Sequence, residues 1–150
     1  MPDRGDPGGL SAFPSRAARR LGADDVVLSN DAAQMQRHRG DIDFVLDTVS
    51  ATHDIDSLMA TVKCDGTLCL LGMPDKPLSI HPMGLVAGRR RLAGSGIGGI
   101  PETQEMLDFC DEHSIVADIE PIDVAQVGEA YARIHKNDVN YRFVLDLATL

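Results

Sequence analysis

Short β-branched runs alternate with helical patterns along this chain of 150 residues, the arrangement expected of a parallel sheet covered by helices on its two faces. Val26–Leu28 reads as a strand, Ala32–His38 as a short helix, and Ile42–Leu46 as a buried strand bounded by polar residues. A helix near Ile55–Val62 follows, then a turn at Asp65-Gly66, a strand Thr67–Leu71, a break at Met73–Pro77 and a helix near Met83–Arg89. Upstream, Ser15–Leu21 fits the end of a helix that stops at Gly22, whose missing Cβ permits a left-handed cap. Downstream of the glycines at 94–99, Glu102–His113 has a helical pattern and Val116–Ile122 is extended. Asp123 and Gln126 then make a capping pair for a helix carrying Val124, Val127, Tyr131 and Ile134 along one face, and Tyr141–Asp146 closes the chain as a strand. The class is α/β. Residues 1–10, rich in Pro, Gly and charge, cannot bury apolar area and read as a disordered lead. No internal repeat and no second complete domain are visible.

Composition narrows the function classes. An apolar content of 43% supports a single sizeable core. A net charge of -9 disfavours nucleic acid, because binding phosphate backbones needs a wide basic field. No apolar run approaches the ~18 residues that span a bilayer, and the amino terminus lacks a signal-peptide core, so a soluble cytoplasmic protein is expected. Cys64, Cys69 and Cys110 are an odd number without metal-like pairing and read as reduced, mostly buried thiols.

Candidate chemistry begins with Gly94, Gly96 and Gly99, which match G-x-G-x-x-G before a helix. Two readings stand: a phosphate-cradling loop, and an ordinary strand-to-helix turn, because the strand before it is short. Thr48-Val49-Ser50 and Leu71-Gly72-Met73 each follow a strand, where open parallel sheets bind ligands, and each reads equally as site or scaffold. Asp47, a carboxylate at a strand end, invites a catalytic reading, and a structural role or one supporting neighbouring site residues is preferred. Arg16, Arg19, Arg20, Arg89–Arg91 and Arg142 are the candidates for phosphate recognition. His38, His53, His81, His113 and His135 are scattered, with no HExxH, so each reads as a surface or cap residue. No G-x-S-x-G elbow is present.

The segments IDFVLDTVS from Ile42, GSGIGGIPETQEMLDFC from Gly94 and YRFVLD from Tyr141 carry a family likeness. From about Ala17 to Leu150 the chain resembles the coenzyme-binding half of zinc-dependent, cinnamyl-alcohol-type dehydrogenases of the medium-chain superfamily. The resemblance implies a truncated Rossmann-like doubly wound parallel sheet. Residues 11–150 would form a partial NAD(P)-binding domain plus a C-terminal segment whose helix and strand pack on a catalytic domain. That domain, with its Cys, His and Cys zinc ligands, and the first dinucleotide-binding turn are expected outside this chain, so zinc is expected only in a full-length relative. The implied coenzyme is NADP. Thr48, Val49 and Ser50 would line its adenosine-to-nicotinamide path, Leu71, Gly72 and Met73 would contact the nicotinamide through backbone groups, Ser95, Gly96 and Ile97 would approach the carboxamide, and Arg142 would reach the pyrophosphate. Gly96 departs from the bulkier residue the family carries there. In the family's Ser-x-x-Lys cluster for the ribose phosphate, Ser11 aligns loosely, Pro14 stands at the lysine, and Arg16 is the available substitute.

The function this implies is that of a fragment of an NADP-dependent zinc alcohol dehydrogenase, which reduces aldehydes by hydride transfer and is inactive alone. The alternative is a non-catalytic nucleotide-binding or oligomerisation module. A flavodoxin-like or receiver-type domain is disfavoured, since the amino terminus offers neither acidic pocket nor flavin-phosphate loop. The resemblance also implies a homodimer in which the strand around Leu92–Ser95 pairs across a two-fold axis.

Overall fold

The computed structural model describes residues 16–136, 138–139 and 141–150, so the lead at 1–10, with Ser11 and Pro14, lies outside the described residues. The chain divides into two units, one ending at Gly96 and the other running from Ile97 to Leu150.

In the first unit, α1 (residues 16–20) ends at Gly22, where φ is +101°. The Gly22 amide donates to the Arg19 carbonyl and the Ala23 amide to the Ala18 carbonyl, a closing pair that satisfies the last carbonyls. Helix α2 (Ala32–Arg37) starts at Asp31, whose carboxylate accepts from the Ala33 and Gln34 amides at 2.9 and 3.0 Å. Asp54 caps α3 (Ile55–Thr61) in the same way. Strands β1 (Ile42–Asp47), β2 (Val62–Leu70) and β3 (Arg91–Gly94) form a parallel sheet in the order β1-β2-β3, with α4 (Pro82–Val86) before β3. The core lies where α3 meets β2: Ile55, Met59, Val62 and Leu68 are each no more than 1% exposed, with Val45, Leu70 and Leu85 packed around them. Burial of a side chain of that size contributes about 1.5–3 kcal/mol. Along β1, an edge strand among the described residues, Phe44 and Leu46 are instead 54% and 56% exposed.

Two expectations are corrected, the first being the burial of β1, of which only Val45 and Asp47 are not exposed. Val26–Leu28 forms no strand: a strand exists by bonding to a neighbour, and among the described residues none pairs with this segment. Its Leu28 amide donates to Gln34 Oε1 at 3.0 Å instead. The expected turn at Asp65-Gly66 is present although it lies within the bounds of β2: pairing against β1 passes from Val62 to Thr67 while β1 advances only from Ile42 to Phe44, and Asp65 is left-handed. Gly66 is required by proximity in this turn, since a Cβ there would stand 2.8 Å from the Asp43 carbonyl and 2.7 Å from Val62 Cγ1. Asp65, at φ +63°, is held by the Arg89 guanidinium, which grips its carboxylate at both oxygens, and by Arg91, which donates to its carbonyl at 2.6 Å. Three consecutive arginines are thereby structural, because Arg90 donates to the Val62 and Gly84 carbonyls at 2.6 and 2.9 Å. Cys64 sits in the irregular stretch and is exposed, Cys69 is buried and Cys110 half-buried, so burial of the thiols is uneven.

The second unit holds α5 (Ile100–Glu112), β4 (Glu120–Asp123), a short 3-10 helix (Val124–Gln126), α6 (Val127–Ile134) and β5 (Phe143–Asp146). The expected pair at Asp123 and Gln126 is present, the Gln126 side chain accepting the Asp123 amide at 3.0 Å. Strands β4 and β5 pair in parallel, and the Arg133 guanidinium on α6 joins Glu120 at 2.8 Å and Asp138 at 3.1 Å while lying 4.7 Å over the Phe143 ring. Among the described residues no helix is long and apolar enough to cross a membrane.

Met59 is fully buried whereas Met73 is 86% exposed. Met59→Ala is therefore expected to cost about 2–5 kcal/mol in urea unfolding, and Met73→Ala to stay within about 0.5 kcal/mol of the parent.

Candidate functional site

The parallel register aligns the carboxyl ends of the three strands of the first sheet, pairing Asp47 with Leu70 and Leu70 with Gly94. The segments that follow them are therefore brought to one end of the sheet: Thr48–Ser50 after β1, Leu71–Met73 after β2, and Ser95 and Gly96 after β3. These are eight of the ten residues singled out from the sequence. Ile97 begins the second unit, and Arg142, exposed, immediately precedes β5, where its carbonyl accepts the Glu120 amide at 2.9 Å.

Asp47 joins the turns. Its backbone carbonyl accepts the Leu71 amide at 2.8 Å and the Gly72 amide at 3.0 Å. Its carboxylate, on a residue only 3% exposed, accepts the Val49 amide at 3.0 Å through Oδ1 and meets His53 Nε2 at 2.7 Å through Oδ2. The second ring nitrogen, Nδ1, lies 2.8 Å from the Ala51 carbonyl. The Ser95 amide continues the series by donating to the Leu70 carbonyl at 3.0 Å. The turns after β1 and β2 touch so closely that a Cβ on Gly72 would fall 2.3 Å from the Val49 carbonyl oxygen, whereas one on Gly96 would meet nothing within 4 Å. Thr48, Ser50, Ser95 and Gly96 are exposed around this junction.

The structural role expected of Asp47 is what the geometry gives it. The sequence does not distinguish His53 from the other histidines, but the structure does. His81 caps α4 by accepting the Met83 amide at 3.2 Å, His113 ends α5 against the Phe109 carbonyl at 2.9 Å, and His38 and His135 follow α2 and α6. The Ala51 carbonyl, and then the Asp47 and Asp54 carboxylates, raise the pKa of His53 above its ordinary value against the opposing effect of burial. Nothing in the spacing of Asp47 and His53 marks the pair in the sequence, because the chain between them is irregular and has no period.

The phosphate-loop reading of Gly94, Gly96 and Gly99 meets a specific obstacle. Gly94 is the last residue of β3, and the Gly99 amide at the start of α5 already donates to the Glu102 carboxylate at 2.6 Å, placing an anion where a phosphate would bind. Arg19 is likewise engaged, with Asp25 at 2.9 Å. Among the described residues no group of three or more His, Cys, Asp or Glu is placed to hold a metal ion.

Comparison with known proteins gives this geometry a context. A family model described as zinc-binding dehydrogenase matches residues 10–112. The aldehyde reductase YahK of Escherichia coli (strain K12) is 53% identical over 135 residues, which is 89% of this chain and 39% of that protein. Cinnamyl alcohol dehydrogenase 2 of Arabidopsis thaliana is 47% identical over 132 residues, covering 88% of this chain and 35% of the relative. Among solved structures, a cinnamyl alcohol dehydrogenase from Sorghum bicolor matches 95% of this chain and 39% of its own at a TM-score of 0.84 and 42% identity. One from Helicobacter pylori, complexed with NADP(H), matches 76% of this chain and 34% of its own at 0.65 and 28%. The chain thus spans about two fifths of the length of these relatives.

The contrast between the two glycines is testable. Gly72→Ala is expected to displace the Val49 turn, seen as large amide shifts at Val49 and Leu71 in NMR spectra and a loss of about 1–3 kcal/mol in stability. Gly96→Ala should leave both unchanged.

Proposed function

The chain belongs to the zinc-binding dehydrogenase family, and from that premise we propose that it is the coenzyme-binding part of an NADP-dependent alcohol dehydrogenase that reduces aldehydes. The observation that carries the proposal is the junction at Asp47, which fixes the turns after β1 and β2 against each other at the carboxyl end of a parallel sheet, beside Ser95 and Gly96. Coenzymes bind such ends because exposed backbone groups converge there, and Gly96 leaves open space for a ring to approach. Support for NADP comes from the Helicobacter pylori relative complexed with NADP(H), and for aldehyde reduction from the name of the Escherichia coli relative.

When bound, NADPH supplies the hydride. The part of this chain is to bind and orient it: Thr48–Ser50 would line the path from adenosine to nicotinamide, Leu71–Met73 would contact the nicotinamide, and Ser95 and Gly96 would meet its carboxamide through backbone groups. The roles that the resemblance gives Ile97 and Arg142 are proposals of the same kind, borne by the second unit. Zinc, which the family uses to polarise the substrate oxygen, does not fit the described residues of this chain, whose His, Cys, Asp and Glu side chains form no ligand group. Coenzyme binding without turnover is accordingly expected of the chain by itself, which is where this reading and a non-catalytic nucleotide-binding module coincide. A homodimer through β3 is also proposed, because among the described residues β3 lies at the sheet edge with all four of its residues exposed.

Titration of the labelled chain with NADPH, followed by amide NMR, should shift Thr48–Ser50, Leu71–Met73, Ser95 and Gly96, and Gly72→Ala should weaken binding roughly tenfold, or ~1.4 kcal/mol. Shifts confined to other segments would overturn the placement. Oxidation of NADPH with an aromatic aldehyde, accompanied by one bound zinc per chain, would overturn the expectation of binding without turnover.

A further inference from the structure

The imidazole of His53 stands between two acceptors. Nε2 is 2.7 Å from Asp47 Oδ2 and Nδ1 is 2.8 Å from the Ala51 carbonyl. A neutral imidazole carries one N–H and an imidazolium two, so only the doubly protonated ring donates to a carboxylate and a carbonyl at once. We propose that His53 is a positioning residue for the coenzyme-facing turn Thr48–Ser50, acting through Asp47 when its ring is doubly protonated; this rests on the coenzyme reading above.

The coupling is short and continuous. The carboxylate that meets His53 through Oδ2 holds the Val49 amide through Oδ1 at 3.0 Å, and the carbonyl of the same residue holds Leu71 and Gly72. Asp47 is buried, its side chain 2% exposed and that of His53 17% exposed, so water does not freely replace a lost donor. Removing the proton from His53 costs either the contact that orients Asp47 or the contact that ties the ring to Ala51. Either loss frees the segment carrying Val49 and Ser50.

The charged groups acting on His53 are Asp47 at the end of β1 and Asp54, the cap of α3. With the Ala51 carbonyl they favour the protonated ring, and burial opposes them. The sign follows from the raised pKa. The clamp is complete below the unfolded value of 6.5 and is lost as pH rises through the higher folded value. Coenzyme affinity should therefore fall with rising pH across that window.

The test uses the full chain. Nitrogen-15 NMR of the wild type should show both His53 ring nitrogens protonated at low pH, a titration midpoint above 6.5, and a Val49 amide shift with the same midpoint. NADPH affinity should weaken about fivefold through that midpoint, the effect of one hydrogen bond. In His53→Gln both the Val49 response and that part of the affinity profile should vanish, leaving the titration of the coenzyme's own phosphate common to the two proteins. A His53 midpoint at or below 6.5, a Val49 amide indifferent to it, or identical affinity profiles would each overturn the proposal. Absence of NADPH binding at every pH would overturn the coenzyme reading and this role with it. Failure of the clamp itself is told apart by the Val49 response, which needs no ligand and no substitution.

Discussion

Asp47 carries four hydrogen-bonding contacts at the end of β1: its carbonyl takes two amides from the turn after β2, and its carboxylate takes one amide from the turn after β1 and one ring nitrogen from His53. Buried polar groups persist only when satisfied, and here satisfying one carboxylate ties together two connections that would otherwise move independently. Gly72 makes the contact sterically feasible, since any side chain would collide with the Val49 backbone. The relative position of Thr48–Ser50 and Leu71–Met73 follows from this junction, and with it the geometry at the carboxyl end of the sheet.

Behind that end the first unit is held by few fully buried side chains. Ile55, Met59, Val62 and Leu68 form the centre, and polar contacts secure the periphery. The arginines at 89, 90 and 91 show how a phosphate-binding signature is absorbed by structure: each guanidinium bonds a backbone carbonyl or a carboxylate of the unit around β2. An arginine's planar fork serves a bulged strand as well as it serves a phosphate, so a run of cations in sequence does not by itself mark an anion site. Glu102 at the start of α5 makes the same point from the other side, occupying a helix terminus that the glycine pattern offered to a ligand.

The proposed seat of a nicotinamide coenzyme at the aligned strand ends rests on two separate observations, family membership from sequence identity and strand register from the fold. Hydride transfer needs an oriented ring and a polarised carbonyl. On the proposed reading the turns after β1 and β2 would serve the first, and the described residues hold no metal-ligand group for the second.

Local chemistry made much of the fold legible. Alternation of β-branched and helical runs announced α/β, the cap at Gly22 and the Asp123–Gln126 pair stand where short-range rules put them, and strands β1 and β5 were found to within a residue or two. Eight candidate site residues follow strand ends, a property that local pattern and family likeness can reach. The failures are of one kind. Whether Val26–Leu28 becomes a strand depends on a neighbour to bond it, whether β1 is buried depends on what packs against it, and whether His53 is a cap or a partner depends on Asp47 across an aperiodic loop. Periodicity and capping are decided within a few residues, so the sequence alone determined them. Pairing, close approach and shared protons are decided between segments that meet only when the chain has folded, so the tertiary structure determined those.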